Sequence, residues 1–378
     1  MGGTTIVDVP LSQSGRKPQL MLTSPDDVPL WREHPDRFAG AVAPDGAACD
    51  EWERTLDPLP VGIALDCPPV PDEEDEDTER PVTLYYIGLC KDAFRDRLHE
   101  DAAFYYLRGS ETFAALRAAV LALGDICGRT VIAELTLEDD EGHLADGTDV
   151  RAAIGVLQRI GVTTVILRAR SMEELSEALE RTAPYARLSL GVCVPSAWID
   201  ENLPLYNTEI VVPAEGDSVP ALLRALDEKA DCRSIVRDHD DFILAPDGTN
   251  AHFIDPTIDI SDEIECGPRL GEDLLEAEDD SGAFKLLLET EDDLVALEEC
   301  RYMISRPICL CAENADLLEK GLRVFGSSRS GRHDFISTIE MFTEHPEMVA
   351  LMKNIVGDVV DVRSIEDMHT AFQKDIAK

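Results

Sequence analysis

Positive charge is scarce in this sequence. Its 378 residues include 34 lysines and arginines but 76 aspartates and glutamates, which gives a net charge of −42 at pH 7. A chain this acidic repels the phosphates of nucleic acids and of anionic lipids, so we expect no nucleic-acid partner and no membrane-surface partner. Solubility or adaptation to salt explains the charge more simply than a specific basic partner does.

Long apolar segments are also missing. No run of 18 or more apolar residues is present that could span a bilayer as a helix. Met1–Pro10 lacks the basic segment and the apolar stretch of a signal peptide. The ten cysteines stand mostly alone and do not indicate a disulfide framework. We therefore expect reduced, mostly buried cysteines and a cytoplasmic protein.

Common catalytic motifs are absent, including GxSxG, the Walker loop, HExxH and a GxGxxG after a strand. The weak metal candidates are Cys309 and Cys311, because residues two apart on a strand face the same side. A zinc site needs three or four ligands, which Cys266 and Cys300 could complete. A buried strand explains the pair more simply, so we expect no metal. The loop of residues 326–332, GSSRSGR, could hold a phosphate or lie at the surface.

Short β-branched runs alternate with amphipathic helices along most of the chain. The predicted strands are Thr5–Val9, Gln19–Thr23, Phe38–Val42, Val61–Leu65, Val82–Ile87, Phe104–Leu107, Val131–Leu137, Thr164–Leu167, Leu188–Val194 and Glu209–Val212. The clearest predicted helices are Ser110–Leu123, Asp149–Ile160, Met172–Thr182 and Val219–Lys229. Ser110 and Ser171 are the expected N-caps of two of them.

This alternation predicts βαβ units and a parallel sheet. About eight units in roughly 220 residues favour a closed, TIM-like (β/α)8 barrel in residues 1–232. The pattern changes after that point, and residues 233–325 predict a smaller α/β unit. Its predicted elements are Ala283–Leu288, Glu291–Cys300, Pro307–Cys311 and Ala315–Val324. Residues 326–378 predict a mainly helical tail.

Three segments in succession carry a family resemblance. They are LRAAVLAL at residues 116–123, VIAELTLEDDEGHLADGTD at 131–149 and AAIGVLQRIGVTTVIL at 152–167, with a weaker echo in LMLTSPDDV at 20–28. In order and spacing they resemble the homocysteine S-methyltransferase family, which includes the homocysteine-binding barrel of methionine synthase. The resemblance implies a substrate-binding glutamate and a zinc ion held by three cysteines.

The residues at the implied site depart from the family pattern. The first zinc cysteine should follow Leu167, where the sequence has Arg168, Ala169 and Arg170. The other two should form a Gly-Gly-Cys-Cys-Gly motif, but the chain has no adjacent cysteine pair. The glutamate falls at or next to Arg108. The reactive species in homocysteine methyl transfer is a metal-bound thiolate. The sequence therefore predicts a member of this family that is non-catalytic or acts on an altered substrate in methyl transfer, and that binds no cofactor.

The three arginines at these positions should meet at the carboxyl-terminal mouth of the barrel. Arg108, Arg168 and Arg170 would suit a small anionic ligand, with Thr136 and Thr148 as further ligand-binding candidates. A corrinoid or folate methyl-transfer partner is implied by the resemblance.

Other interpretations stay open. The arginines could instead pair with nearby acids such as Glu134 and Glu138. Relocated cysteines such as Cys193 or Cys232 could hold zinc in an active methyltransferase.

The end of the chain suggests two further resemblances. PICLCAENADLLEKGLRVFG at residues 307–326 resembles part of the pterin-binding barrel of methionine synthase. EKGLRVFGSSRSGRHDF and VVDVRSIEDMHTAF, at residues 319–335 and 359–372, resemble the C-terminal end of medium-chain zinc dehydrogenases acting on sugar-alcohol phosphates. That family's Gly-His-Glu zinc motif and dinucleotide loop are absent, so an oxidoreductase is an alternative rather than the main expectation.

Overall fold

The structure of the chain is a computed structural model. It describes residues 17–69, 81–110, 112–201, 203–228, 231–233, 235, 243–246, 249–254, 260–277, 283–304, 308–312 and 315–325. The predicted strand Thr5–Val9, the loop of residues 326–332 and the predicted tail lie outside the described residues.

Eight parallel strands close into a barrel, which confirms the predicted fold class. They follow one another in chain order, and the last strand pairs with the first. The strands are β1 Gln19–Leu22, β2 Phe38–Ala43, β3 Val61–Asp66, β4 Phe104–Arg108, β5 Thr130–Thr136, β6 Val162–Arg168, β7 Ser189–Val194 and β9 Thr208–Pro213. Each was predicted from its apolar run, because strands buried on both faces lack a polar side.

Side chains fill the barrel interior. Met21, Val42, Phe104, Ile166 and Val212 belong to one inner apolar cluster, to which Ala64, Tyr106, Ile132 and Cys193 also belong. Two glycines make this packing possible. A Cβ on Gly62 would lie 2.3 Å from the Phe104 ring, and one on Gly191 would lie 2.4 Å from Ile166 Cδ1. The barrel is therefore a packed core with its accessible surface at the ends.

Helices surround the barrel. They are α1 Val28–Glu33, α2 Gly46–Leu56, α3 Val82–Arg95, α4 Phe113–Ile126, α5 Val150–Arg159, α6 Met172–Thr182, α7 Ser196–Asp200 and α8 Val219–Glu228. The prediction of a strand at Val82–Ile87 is wrong, because this segment is the first half of α3. Its buried residues Thr83, Tyr86, Ile87, Cys90 and Phe94 recur every one to four positions, on one helical face.

The two predicted N-caps have different outcomes. Ser171 caps α6 as expected, accepting a hydrogen bond from Glu174 N at 3.2 Å. The N-cap of α4 is Thr112 rather than Ser110, and its hydroxyl accepts from Ala115 N at 3.1 Å. Ser110 instead donates to the Thr112 carbonyl at 2.5 Å. Both serine and threonine satisfy an N-cap, so residue type alone did not distinguish the two positions.

Four short strands were not predicted. Strands β8 (Pro204–Tyr206) and β10 (Asp231–Arg233) pair in parallel, and β11 (Ile243–Pro246) pairs antiparallel with β12 (Ala251–Ile254). Each has three or four residues. Strands this short give almost no periodic signal in the sequence.

A second unit follows the barrel. Its parallel sheet has the order β13 (Ile260–Glu265), β14 (Ala283–Leu288) and β15 (Ile308–Ala312). Helices α9 (Leu270–Ala277), α10 (Asp292–Cys300) and α11 (Ala315–Phe325) accompany it around a separate apolar core. This matches the predicted smaller α/β unit, although β13 and α9 were not predicted. The proposed boundaries at residues 232 and 325 remain a prediction.

Charged side chains join the second unit to barrel helices α3 and α4. Buried Arg117 of α4 donates to the Leu322 and Arg323 carbonyls at the end of α11, both at 2.9 Å. Arg323 in turn forms two 2.8 Å bonds with Asp125. Glu298 of α10 accepts from the Val82 amide at 2.8 Å, at the start of α3. The second unit is thus fixed to the barrel by polar contacts of specific geometry.

Within the described part of the chain, no helix combines the length and the apolar character needed to cross a membrane.

Candidate functional site

The candidate site lies at the carboxyl ends of four neighbouring strands, β3 to β6. Asp66 ends β3 opposite Arg108, which ends β4. Thr136 ends β5 opposite Arg168, which ends β6. TIM-like barrels place their sites at this mouth, because strand ends and the following loops converge there. Sequence reasoning placed the two arginines and Thr136 here, but not Asp66.

Arg108 pairs with the neighbouring strand end. Its Nε donates to Asp66 Oδ1 at 2.9 Å. Side-chain exposure is 48% for the arginine and 60% for the aspartate, so the pair is open to solvent. Among the described residues, neither terminal amino group of Arg108 has a hydrogen-bond acceptor. The guanidinium therefore offers two amino groups as donors at the mouth.

Arg168 reaches down to a buried carboxylate. Its Nη2 donates to Glu134 Oε2 at 3.3 Å, and its Nε lies 3.1 Å from Oε1 without forming a hydrogen bond. The Glu134 side chain is 7% exposed and that of Arg168 is 39% exposed. Among the described residues, Nη1 of Arg168 has no acceptor. Burial opposes the charge on Arg168, but Glu134 outweighs it, and the arginine pKa lies above its ordinary value.

Tyr106 lies beside Glu134 inside the barrel. Its hydroxyl donates to Glu134 Oε2, in a side chain that is almost completely buried. Burial first, then the charge of Glu134, raises the pKa of Tyr106 well above its usual value. The hydroxyl is therefore protonated and can only be a donor to this carboxylate. Sequence reasoning missed Tyr106, although its period-two relation to Arg108 on β4 would have pointed to the interior.

Arg170 lies two residues beyond β6, and both of its amino groups have carboxylate partners. Its amino groups reach Glu138 at 3.3 Å and Glu174 at 3.4 Å, and its amide donates to Glu174 at 3.0 Å. The alternative that the arginines pair with Glu134 and Glu138 thus describes both Arg168 and Arg170. Arg168 and Arg108 are also paired, but each retains unused donors.

The two threonines have different surroundings. Thr136 is exposed at the end of β5. Thr148 is 2% exposed and its amide donates to Asp146 Oδ1 at 3.1 Å. Asp146 also accepts from the Phe113 amide at 2.6 Å, so the loop after β5 is fastened to the first turn of α4. Thr148 supports this loop, and its predicted role in ligand binding is untested.

The described side chains at this mouth do not fit the zinc site that the sequence resemblance implies. Arg168 occupies the position implied for the first cysteine, and its positive charge repels a divalent cation. The cysteine nearest to it on the neighbouring strand is Cys193, which lies opposite Arg168 in register and is 3% exposed. Burial raises the pKa of this thiol, Arg168 lowers it and Glu134 raises it, and the resulting pKa is about 11. The thiolate is the form that binds a metal or attacks as a nucleophile, and little of it is present at neutral pH with this pKa.

The other cysteine candidates lie outside the barrel sheet. Cys232 is on β10, outside the barrel sheet, and its side chain lies outside the described residues. Cys311 is buried in β15 of the second unit, where the side chain of Cys309 is not described. Among the described residues, the group of three possible metal-donor side chains within 4.8 Å of one another is Asp50, His99 and Asp101, and it includes no cysteine.

Comparison with known proteins gives short sequence matches. No family model matches the chain. Ribulose-5-phosphate reductase of Bacillus spizizenii is 44% identical over 64 residues, or 17% of this chain and 19% of that protein. The enzyme of the same name from Streptococcus pneumoniae is 46% identical over 61 residues, 16% of this chain and 17% of that protein. The chain thus spans less than a fifth of the length of the curated relatives it matches.

Solved structures resemble the chain only weakly. The apo form of the homocysteine methyltransferase MmuM from Escherichia coli covers 60% of this chain and 100% of its own, with 13% identity and a TM-score of 0.42. A phosphonopyruvate hydrolase complex with oxalate and Mg²⁺ covers 60% of this chain and 84% of its own, with 11% identity and a TM-score of 0.33. Similarity this low carries no argument about activity.

Proposed function

We propose that the barrel mouth binds a small anion through Arg108 and Arg168. In this proposal the chain is an altered-substrate relative of homocysteine S-methyltransferase barrels that does not use zinc-bound thiolates. The observation that carries it is the set of guanidinium amino groups that have no acceptor among the described residues.

The geometry of the two ion pairs supports anion binding. Asp66 occupies only the Nε edge of Arg108, and Glu134 binds the inner edge of Arg168. Guanidinium groups bind carboxylate or phosphate oxygens in a forked manner, so the remaining edges suit a bidentate contact. The partner carboxylates offset part of the positive charge of the two guanidinium groups.

The link to methyl transfer is the sequence resemblance across β5, α5 and β6. Because no thiolate lies near Arg168 among the described residues, the barrel would contribute binding rather than thiol activation. Its natural partner in this proposal is a corrinoid or folate methyl carrier, and its ligand bears a carboxylate or a phosphate. The role of Arg170 in that ligand site remains a prediction, since both of its amino groups already contact carboxylates.

A second candidate function is reduction of a sugar phosphate. The curated matches favour it, because all four are named ribulose-5-phosphate reductases. The predicted resemblance of residues 319–335 and 359–372 is to dehydrogenases of the same broad substrate class. Titration with NADH and NADPH separates the candidates. Tight nicotinamide binding would support a reductase, and we expect none.

Calorimetric titration tests the anion site directly. Wild-type protein is titrated in a phosphate-free buffer with inorganic phosphate, ribulose 5-phosphate, homocysteine and folate. The same series is run on Arg168→Met and Arg108→Met. Arg95→Met is the matched control, because Arg95 is an exposed arginine paired to Asp92 on α3, away from the mouth.

We expect at least one anion to bind wild-type protein, and each mouth variant to weaken that binding about tenfold or more, since a charged hydrogen bond contributes about 1.5–3 kcal/mol. The control should bind like wild type. No heat with any of these anions would refute the proposal. Stoichiometric zinc in the purified protein would instead favour the active methyltransferase with relocated cysteine ligands.

A further inference from the structure

A buried carboxylate inside the barrel is the feature that the anion site alone does not explain. Glu134 is 8% exposed and Tyr106 is 4% exposed, among apolar side chains such as Ile132 and Ile166. Moving an ionised carboxylate into such surroundings costs several kcal/mol. A folded protein with an apolar residue of similar size at this position would often be no less stable. A role beyond stability is therefore worth testing for this pair.

The contacts of Glu134 form a chain that leads to the mouth. Oε2 accepts from the Tyr106 hydroxyl and from Arg168 Nη2, and Oε1 faces Arg168 Nε at 3.1 Å. Glu134 of β5 pairs in register with Ile166 of β6, and Ile166 precedes Arg168 by two residues on the same face of that strand. The carboxylate is thus held from one side by a hydroxyl and holds the guanidinium on the other.

We propose that Tyr106 is a positioning residue of the anion site, because its hydroxyl fixes Glu134 and Glu134 fixes Arg168 with Nη1 available at the mouth. This inference rests on the proposed anion-binding function. Long arginine side chains lose rotamer freedom when they bind a ligand, and a guanidinium that is already held loses less. Removing the hydroxyl should therefore weaken anion binding without touching the ligand.

The neighbouring residue on the same strand provides a matched control. Tyr105 is 1% exposed, and its side chain points to the outer face of the barrel, since successive residues of a strand face opposite sides. Its hydroxyl accepts from the His99 amide at 2.8 Å and donates to the His99 carbonyl at 3.2 Å. Tyr105→Phe therefore removes a buried, hydrogen-bonded hydroxyl from β4 without affecting Glu134.

The experiment compares Tyr106→Phe with Tyr105→Phe. Each variant is titrated by calorimetry with inorganic phosphate, and its thermal midpoint is measured. We expect Tyr106→Phe to weaken phosphate binding about threefold to tenfold, the cost of ordering one long side chain. Tyr105→Phe should bind within twofold of wild type while losing a similar amount of thermal stability.

Glu134→Gln is the second variant, and it keeps the volume and an acceptor for Tyr106. It should weaken phosphate binding in the same direction, because we expect the looser hold on Arg168 to outweigh the loss of a negative charge that opposes the anion. Unchanged binding in both Tyr106→Phe and Glu134→Gln overturns the inference. An equal loss in Tyr105→Phe and Tyr106→Phe also overturns it, since the effect would then follow stability. Wild-type protein that binds none of the four anions, or binds them independently of Arg168, refutes the proposed function and the inference with it. Wild-type protein that binds another anion of the series but not phosphate overturns the inference alone.

Discussion

Replacing Arg117 with methionine should loosen the second unit from the barrel. Arg117 is 3% exposed on α4, and its two amino groups donate to the Leu322 and Arg323 carbonyls at 2.9 Å each. These carbonyls belong to the last turn of α11, whose final carbonyls have no partners within the helix. Methionine keeps much of the length of the side chain but provides no donor, so two buried carbonyls lose their partner.

The expected loss in the free energy of unfolding follows from those two hydrogen bonds. A hydrogen bond from a charged donor contributes about 1.5–3 kcal/mol, and a cation at a partly buried helix C-terminus contributes up to about 2 kcal/mol. The two effects overlap, and removing a buried charge recovers some desolvation energy. We therefore expect Arg117→Met to lower the free energy of unfolding by about 2–4 kcal/mol. Arg117→Lys should lower the free energy of unfolding by less, because lysine keeps the positive charge although it cannot make the same pair of guanidinium hydrogen bonds.

Urea unfolding followed by circular dichroism measures this change, and hydrogen exchange of the α11 amides shows where it acts. Arg269→Met is the control, because Arg269 is an exposed arginine paired with Glu272 and Asp273 at the surface. It should leave the unfolding midpoint where it is in wild type. If the unfolding midpoint of Arg117→Met equals that of the control and the hydrogen-exchange protection of α11 is unchanged, the two Arg117 hydrogen bonds contribute nothing to holding the second unit against the barrel.

Three other predictions concern charge and burial. Partial burial raises the pKa of Asp125, but hydrogen bonds from Arg323 and Lys91 outweigh it, so the pKa lies below its usual value. The ionised carboxylate therefore stabilises the folded state above the ordinary aspartate pKa of about 4. This contribution is lost as the pH falls through the lowered pKa. Asp125→Asn should thus cost about 2 kcal/mol at pH 7 in urea unfolding, and the gap to wild type should shrink only below about pH 4; a pH-independent gap would contradict this. Cys193 has a pKa raised to about 11, so only about one molecule in a thousand should carry its thiolate at pH 8. Peptide mass spectrometry should therefore show that it is alkylated far more slowly than glutathione. Rapid labelling would disprove the burial described for this residue. Because the net charge is −42, raising KCl from about 0.05 to 0.5 M should raise the thermal midpoint by screening self-repulsion, and a midpoint that falls would contradict this.

The barrel strands were predictable because their signal is local. Segments such as β2 and β7 are buried on both faces, and an almost continuous apolar run bounded by turns identifies them without knowledge of their partners. The segment from Val82 was predicted wrongly for the same reason. A short apolar run is consistent with either a strand or a helix, and in the folded chain its buried face packs against α4 and α11 as a helix.

The sequence by itself determined that Arg108 and Arg168 end barrel strands, since each directly follows an apolar run of a regular βα repeat. Only the tertiary structure decided which carboxylate each arginine contacts. Asp66 lies 42 residues from Arg108, and Glu134 lies 34 residues from Arg168. Strand pairing and register bring these groups together, and closure of the barrel buries Tyr106 beside Glu134. The physical reason is that a strand's pattern fixes which face a side chain takes, whereas its neighbours on that face depend on the alignment of strands distant in sequence.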